Sequence, residues 1–146
     1  MKVPKIINTL IAILLLGSIS AHAQNPENWT SKQLVEPADL AASIKTNKDL
    51  HVVISIGPGA VIPNSLNVGM VNNKEGIAKL KTQLKDVPKE AGIVLYCGCC
   101  PFDHCPNVRP AIDVLKQMNF TNYRLLNLPH NIKTDWIDKG FPTATP

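Results

Sequence analysis

Gly92-Ile93-Val94-Leu95-Tyr96-Cys97-Gly98-Cys99-Cys100-Pro101-Phe102-Asp103-His104-Cys105 is the stretch on which the fold turns. Residues 92–96 form a short, mainly apolar run with no charged side chain, which reads as a strand buried on both faces. Glycine, proline and a cluster of thiols then end it abruptly. Working outward, residues 52–56 repeat the β-branched pattern and stop at Gly57-Pro58-Gly59, and residues 123–126 stop before a turn at Leu128-Pro129-His130-Asn131. A brief extended piece is expected at 66–69. Between these segments the apolar period changes to that of a helix. Glu36-Pro37-Ala38-Asp39 opens one helix, with Pro37 suited to its first turn and Leu40, Ala41 and Ile44 inward. Residues 74–85 (Ile77, Leu80, Leu84) predict a second, and residues 108–118 (Ala111, Ile112, Val114, Leu115, Met118) a third, with Pro110 in its first turn. Residues 134–139, bearing Trp136, predict a closing helix.

Strands alternating with helices, and buried on both faces, predict a three-layer α/β domain with a central, mostly parallel sheet flanked by helices on both faces. Sites in such sheets lie outside the carboxyl ends of the strands. The cysteine loop follows one such end and His130 follows another, so both belong to one edge of the sheet.

The N-terminal residues stand apart. Lys2 and Lys5 precede an almost wholly apolar run to Ser20, and Ala21-His22-Ala23 supplies small residues where a signal peptidase reads. The pattern predicts a signal peptide over 1–23, a polar leader over 24–31 with little regular structure, and the domain over 32–146. The apolar run is short for a membrane span of roughly 20 residues. The expected location is therefore periplasmic or secreted, with no stable membrane span after cleavage. Two of 15 basic residues leave with the peptide, so 13 face 11 acidic ones and the net charge falls from +4 to about +2. The lysines are scattered as on a solvated helix face, and no nucleic-acid partner is expected.

All four cysteines of the chain lie between positions 97 and 105. A disulfide stabilises most by closing a long loop, so cysteines this close in sequence do not staple a domain together. A domain of this length buries an adequate core without help. The cluster calls for a chemical explanation.

Four motifs in order resemble the rhodanese-like family. Ile93-Val94-Leu95-Tyr96-Cys97 is similar to that family's strand ending in Tyr-Cys, and Ile62-Pro63-Asn64-Ser65-Leu66-Asn67-Val68 to its Ile-Pro-Gly-Ala-Ile-Asn-Ile. Ala111-Ile112-Asp113-Val114-Leu115 with Asn119-Phe120-Thr121-Asn122-Tyr123 resembles its Ala-X-X-X-Leu helix and following Gly-Phe step. Trp136-Ile137-Asp138-Lys139-Gly140-Phe141-Pro142 resembles its closing Trp-X-X-X-Gly-Tyr-Pro. The resemblance implies a rhodanese-like fold and a sulfurtransferase that carries sulfane sulfur as a persulfide on Cys97. Its partners would be a small sulfur donor of thiosulfate or polysulfide type and a thiol acceptor, with no cofactor required. The loop after Cys97 is longer than the family's, and Ser55-Ile56-Gly57 stands where the family has Asp-Val-Arg.

Three chemistries fit the loop. In the first, Cys97 is a nucleophile with its pKa lowered by a helix mouth, and Cys99, Cys100 and Cys105 relay or resolve the sulfur. In the second, Cys97 and Cys100, spaced Cys-X-X-Cys, cycle as a thiol–disulfide pair. In the third, which is not enzymatic, Cys97, Cys99, Cys100, Cys105, His104 and His130 hold a soft metal (zinc, copper or an iron–sulfur centre). His104 and His130 are also expected to act as base or cation beside a thiol, and Arg109 to steer anions. Asn107 is expected to cap the helix after the loop and Asp103 its turn. Phe102 and Trp136 are assigned to packing and His51 to a solvated surface.

Overall fold

The computed structural model describes residues 29–49 and 51–144. The expected signal peptide and most of the leader lie outside the described residues. The leader's last residues are structured: Ser31–Gln33 is a 3-10 turn, and Trp29 packs edge-on against Phe102, with ring centroids 6.4 Å apart.

Five strands follow, β1 (Leu34–Val35), β2 (Val52–Ser55), β3 (Leu66–Asn67), β4 (Ile93–Tyr96) and β5 (Tyr123–Leu126). The helices are α1 (Pro37–Thr46), α2 (Lys74–Leu84) and α3 (Val108–Gln117). Every strand pair is parallel, in the order β1-β5-β4-β2-β3. The expected three-layer α/β architecture is present. β1 escaped sequence reading because two residues carry no period.

Helix placement follows from handedness. The β3-α2-β4 and β4-α3-β5 connections run in one direction across the sheet, whereas β1-α1-β2 runs in the other. Right-handed crossovers therefore put α1 on the opposite face from α2 and α3. The core divides accordingly. Ile54, Ile93, Leu95 and Leu125 pack with Leu80 and Leu84 of α2 and Ala111 and Leu115 of α3. Val53, Val94, Tyr96 and Leu126 pack with Leu40 and Ala41 of α1 and with Trp136. Strand side chains alternate between faces. Ile93, Leu95 and Cys97 thus point to the α2/α3 layer, while Val94 and Tyr96 point to the α1 layer.

Local signals set the helix ends. Pro37 occupies the first turn of α1, and Asn47, at φ 52°, closes it in the left-handed region. Asn73 caps α2 by accepting from the Gly76 N–H at 2.9 Å. The closing segment is a π-helical turn over Lys133–Ile137 rather than the α-helix expected over 134–139. Its wider turn is marked by the Asp138 N–H donating to the Lys133 carbonyl at 2.8 Å. Trp136 is fully buried there and donates from Nε1 to the Pro142 carbonyl at 2.8 Å, the packing role expected of it.

His51 is not the solvated histidine that the sequence suggested. It is half-buried, Nε2 accepts from Arg124 Nη2 at 2.9 Å, and the buried Nδ1 has no hydrogen-bond partner. Burial, then the Arg124 guanidinium, holds its pKa below the ordinary value, so the ring stays neutral.

Candidate functional site

The site is the loop between β4 and α3. Its ends are fixed by regular structure: Cys97 directly follows β4, and the Val108 N–H that opens α3 donates to the Cys105 carbonyl at 3.2 Å. The middle is tied to the segment after β5. Phe102 N–H donates to the Leu128 carbonyl at 3.1 Å, and Ile132 N–H to the Gly98 carbonyl at 3.0 Å. A Cβ at Gly98 would lie 2.9 Å from Ile132 Cγ2, so the close approach of these segments depends on glycine there. The cysteine loop and the turn carrying His130 therefore share one edge of the sheet, as expected from the strand ends.

Folding turns the four cysteines into one cluster, with all four Sγ atoms within 4.8 Å of one another. Cys99 Sγ lies 3.4 Å from Cys97 Sγ and 3.3 Å from Cys100 Sγ. These are contacts rather than bonds, which would be about 2.05 Å. Cys97 is 1% exposed and Cys105 is also buried, while Cys100 is half-buried and Cys99 exposed. Sulfur thus runs without a gap from the end of β4 to solvent. Cys99 touches both Cys97 and Cys100, and Cys100, the partner that a Cys-X-X-Cys pairing requires, has its Sγ within 4.8 Å of that of Cys97. Gly57 lies beside the cluster, where a Cβ would meet Cys97 Sγ at 2.9 Å.

The expectation that Cys97 has a lowered pKa is reversed. Its thiol is held well above the ordinary range, first by its hydrogen bond with Cys105 and then by burial, while the Asn107 amide pulls the other way. Cys100 is pushed up to about 12, by burial and then by contact with Cys99. Burial also raises Cys99. Burial raises all three, whereas the thiol contacts act in both directions, Cys105 raising Cys97 but lowering Cys100. The helix mouth that was to relieve Cys97 opens only at Val108, beyond the loop.

Asn107 is the residue that sequence reading misplaced. It makes no capping hydrogen bond, and its φ of −84° and ψ of −23° are already helical. Pro110 occupies the third helical position and has no N–H there for a capping side chain to accept. The carboxamide, fully buried, turns toward the sulfurs instead. Its Oδ1 accepts from Asn72 N–H at 3.0 Å, which fixes the orientation of the amide. Nδ2 then faces Cys97 Sγ at 3.5 Å, Cys105 Sγ at 3.7 Å and Met70 Sδ at 3.9 Å. A polar residue directly before a helix whose third residue is proline was the available signal.

The histidines do not join the cluster. His104 Nδ1 donates to Asp103 Oδ1 at 2.7 Å, and His130 Nδ1 to Asp135 Oδ1 at 2.9 Å, with both imidazoles largely exposed. His104 is held by the preceding residue's carboxylate and His130 by one five residues on, and among the described residues the group of potential ligands contains sulfur alone. Burial would raise the Asp135 carboxyl, but donors from the His130 side chain, His130 N–H and Asn131 N–H outweigh it and hold the group below its usual value. Asp103 serves His104 rather than capping the turn. Arg109 is half-buried in the first turn of α3.

No protein-family model and no curated protein sequence matches the chain. Solved structures do. A protein from Lactobacillus plantarum superposes with a TM-score of 0.58 at 13% identity, covering 77% of this chain and 88% of that one. EanB superposes with a TM-score of 0.53 at 16% identity, in its wild-type structure and in a complex with hercynine. That match covers 77% of this chain but 27% of EanB. Among the described residues no helix is long and apolar enough to cross a membrane. At these identities the likeness is one of fold: this chain is a three-layer α/β domain of rhodanese-like form, with a four-cysteine cluster at the carboxyl end of its central strand.

Proposed function

We propose that the protein is a sulfur carrier of sulfurtransferase type, in which sulfane sulfur enters at exposed Cys99 and passes to Cys97. One observation carries this reading: the unbroken line of Sγ atoms from solvent to the strand end, with Cys99 in contact with both Cys97 and Cys100. A Cys99 thiolate attacks the outer sulfur of a thiosulfate or polysulfide donor. One S–S bond forms, the donor's S–S bond breaks, and sulfite or the shortened polysulfide leaves with the electron pair. Cys97 Sγ then attacks the outer sulfur of the Cys99 persulfide, and the Cys99 S–S bond breaks with its electron pair going to Cys99. The Cys97 proton passes to Cys99 Sγ 3.4 Å away, leaving Cys97 as the persulfide and Cys99 as the thiol. Asn107 Nδ2 is placed to donate to the charge that develops on Cys97. The order of entry follows from exposure, because a donor in solution reaches the Cys99 thiol and not the buried Cys97.

The test uses reduced, metal-free protein exposed to thiosulfate or polysulfide and read by peptide mass spectrometry. The expected result is a one-sulfur adduct on Cys97 in the wild type and at least tenfold slower loading of Cys97 in Cys99→Ser. Absence of any one-sulfur adduct from the cysteine peptides rejects the reading. Equal loading of Cys97 in Cys99→Ser rejects the relay.

A further inference from the structure

We infer that Cys97, Cys99, Cys100 and Cys105 form a closed site for one thiophilic, closed-shell metal ion, zinc(II) or copper(I), held by four sulfurs with no histidine. The inference does not depend on sulfur transfer. It uses Cys105, which the sulfur relay leaves idle, and it requires the four thiols to converge rather than to form a path.

Geometry supports convergence. Four thiolates around one ion at about 2.3 Å would stand about 3.8 Å apart. Here Cys99 Sγ stands 3.3 Å from Cys100 Sγ and 3.4 Å from Cys97 Sγ, and none of the four is farther than 4.8 Å from another. Each sulfur needs to move by about an ångström or less to embrace a single ion. A cluster of several irons distributes its thiolates over separate metal atoms and spreads them further apart, so the arrangement favours one ion over an iron–sulfur centre. The ligands are also supported from both ends of the loop, Cys97 by β4 and Cys105 by the start of α3.

The surroundings match as well. Metal thiolates carry residual negative charge on sulfur and are commonly oriented by N–H donors behind them. Asn107 supplies such a donor to Cys97 and Cys105 at once, and the Asn72 N–H locks its amide in that orientation. It is a positioning residue, not a ligand. Binding of a divalent ion releases four thiol protons and leaves a dianionic centre, so affinity rises with pH.

The test begins with the reduced full chain freed of metal by a chelator. Zinc(II) and copper(I) are titrated separately, and binding is read as stoichiometry, as protection of each cysteine from iodoacetamide, and, with cobalt(II) as probe, as the visible bands of a tetrahedral all-thiolate complex. One equivalent of zinc(II) or copper(I) that protects all four cysteines supports the site, and chelator competition then ranks the two ions. Cys99→Ser, on an exposed position that spares the fold, is expected to weaken binding at least 100-fold. Asn107→Leu is expected to weaken it about 10- to 100-fold while retaining all-sulfur cobalt bands. No binding at micromolar metal, protection of fewer than four cysteines, or more than one ion per chain overturns the inference. Metal binding without persulfide formation would leave this site standing and remove the sulfur-carrier reading. The reverse result would do the opposite.

Discussion

Replacing Gly57 with alanine places a methyl carbon 2.9 Å from Cys97 Sγ, where heavy atoms ordinarily meet at about 3.5–4.0 Å. The next nearest atoms, Cys97 Cα and Gly98 N, are each 3.6 Å away, so the conflict lies with the sulfur alone. Gly57 is buried, and its backbone is not among the positive-φ positions, so alanine meets no conformational obstacle there. The cost is therefore one of overpacking, about 1–3 kcal/mol, relieved only if Cys97 Sγ swings out of the cluster. A double-mutant cycle isolates it. In a Cys97→Ala background the sulfur is gone and Gly57→Ala should cost little, giving a coupling of about 1–2 kcal/mol between the sites. Urea denaturation of reduced, chelated protein measures all four corners, and in thermal melts each kcal/mol corresponds to about 3–6 °C for a domain of this size. The displaced Sγ also predicts weaker zinc(II) binding and slower sulfur loading in Gly57→Ala alone. A penalty equal in both backgrounds to within about 0.5 kcal/mol would refute the argument, because the methyl group would then be clashing with something other than Cys97.

Three further outcomes follow from the same geometry. Asn107→Leu strands the Asn72 N–H and two thiols without their partner, and should destabilise the reduced, metal-free fold by about 1–3 kcal/mol in urea denaturation. His51 has a folded-state pKa below its unfolded value, so the unfolded chain takes up the proton first and stability falls as pH drops through 6.5 toward the folded value. Denaturation from pH 7.5 to 5 should show this loss, and His51→Gln, which keeps an acceptor for Arg124 but cannot titrate, should flatten it. His104→Ala and His130→Ala should leave zinc(II) affinity within about twofold of wild type, since both imidazoles are occupied by carboxylates outside the sulfur cluster; a tenfold loss in either, read by chelator competition, would put a histidine back among the ligands.

The sheet and the position of the loop were legible because they depend on period. Residues 92–96 are apolar on both faces, and alternation alone assigns Cys97 to the α2/α3 layer. Once the strand order is known, the crossover direction places α1 opposite α2 and α3. What period does not encode is which side chains meet. Asn107 stands where a helix cap belongs, yet Pro110 removes one of the two N–H groups it could take and its amide turns to Cys97 and Cys105 instead. Cys97 looked like a thiol at a helix mouth, yet the loop wraps three more sulfurs around it before that mouth is reached, and its hydrogen bond with Cys105, with burial, reverses the sign of its pKa shift. His104 and His130 were placed at the correct edge by topology, but adjacent carboxylates at Asp103 and Asp135 decide their partners over a shorter range than sequence spacing resolves.

The division of the four thiols ties the two proposed chemistries together. Cys97 and Cys105 sit at the ends of a strand and a helix and are buried, whereas Cys99 and Cys100 lie on the connecting loop and reach the surface. A metal ion needs both pairs at once and ties the loop down against the ends. A sulfane-sulfur donor needs Cys99 unligated and able to attack. The two occupants therefore exclude each other at Cys97 and Cys99, and occupancy by the ion closes the most exposed of the four sulfurs, the one a donor in solution meets first. Thiophilic metal should accordingly inhibit persulfide formation in proportion to its occupancy, with half-inhibition at the concentration that half-protects Cys99 from alkylation. A metal that protects Cys99 and leaves the loading rate unchanged would mean that Cys97 is not among its ligands and that sulfur reaches it without Cys99, and both the four-sulfur site and the order of entry argued from exposure would fail.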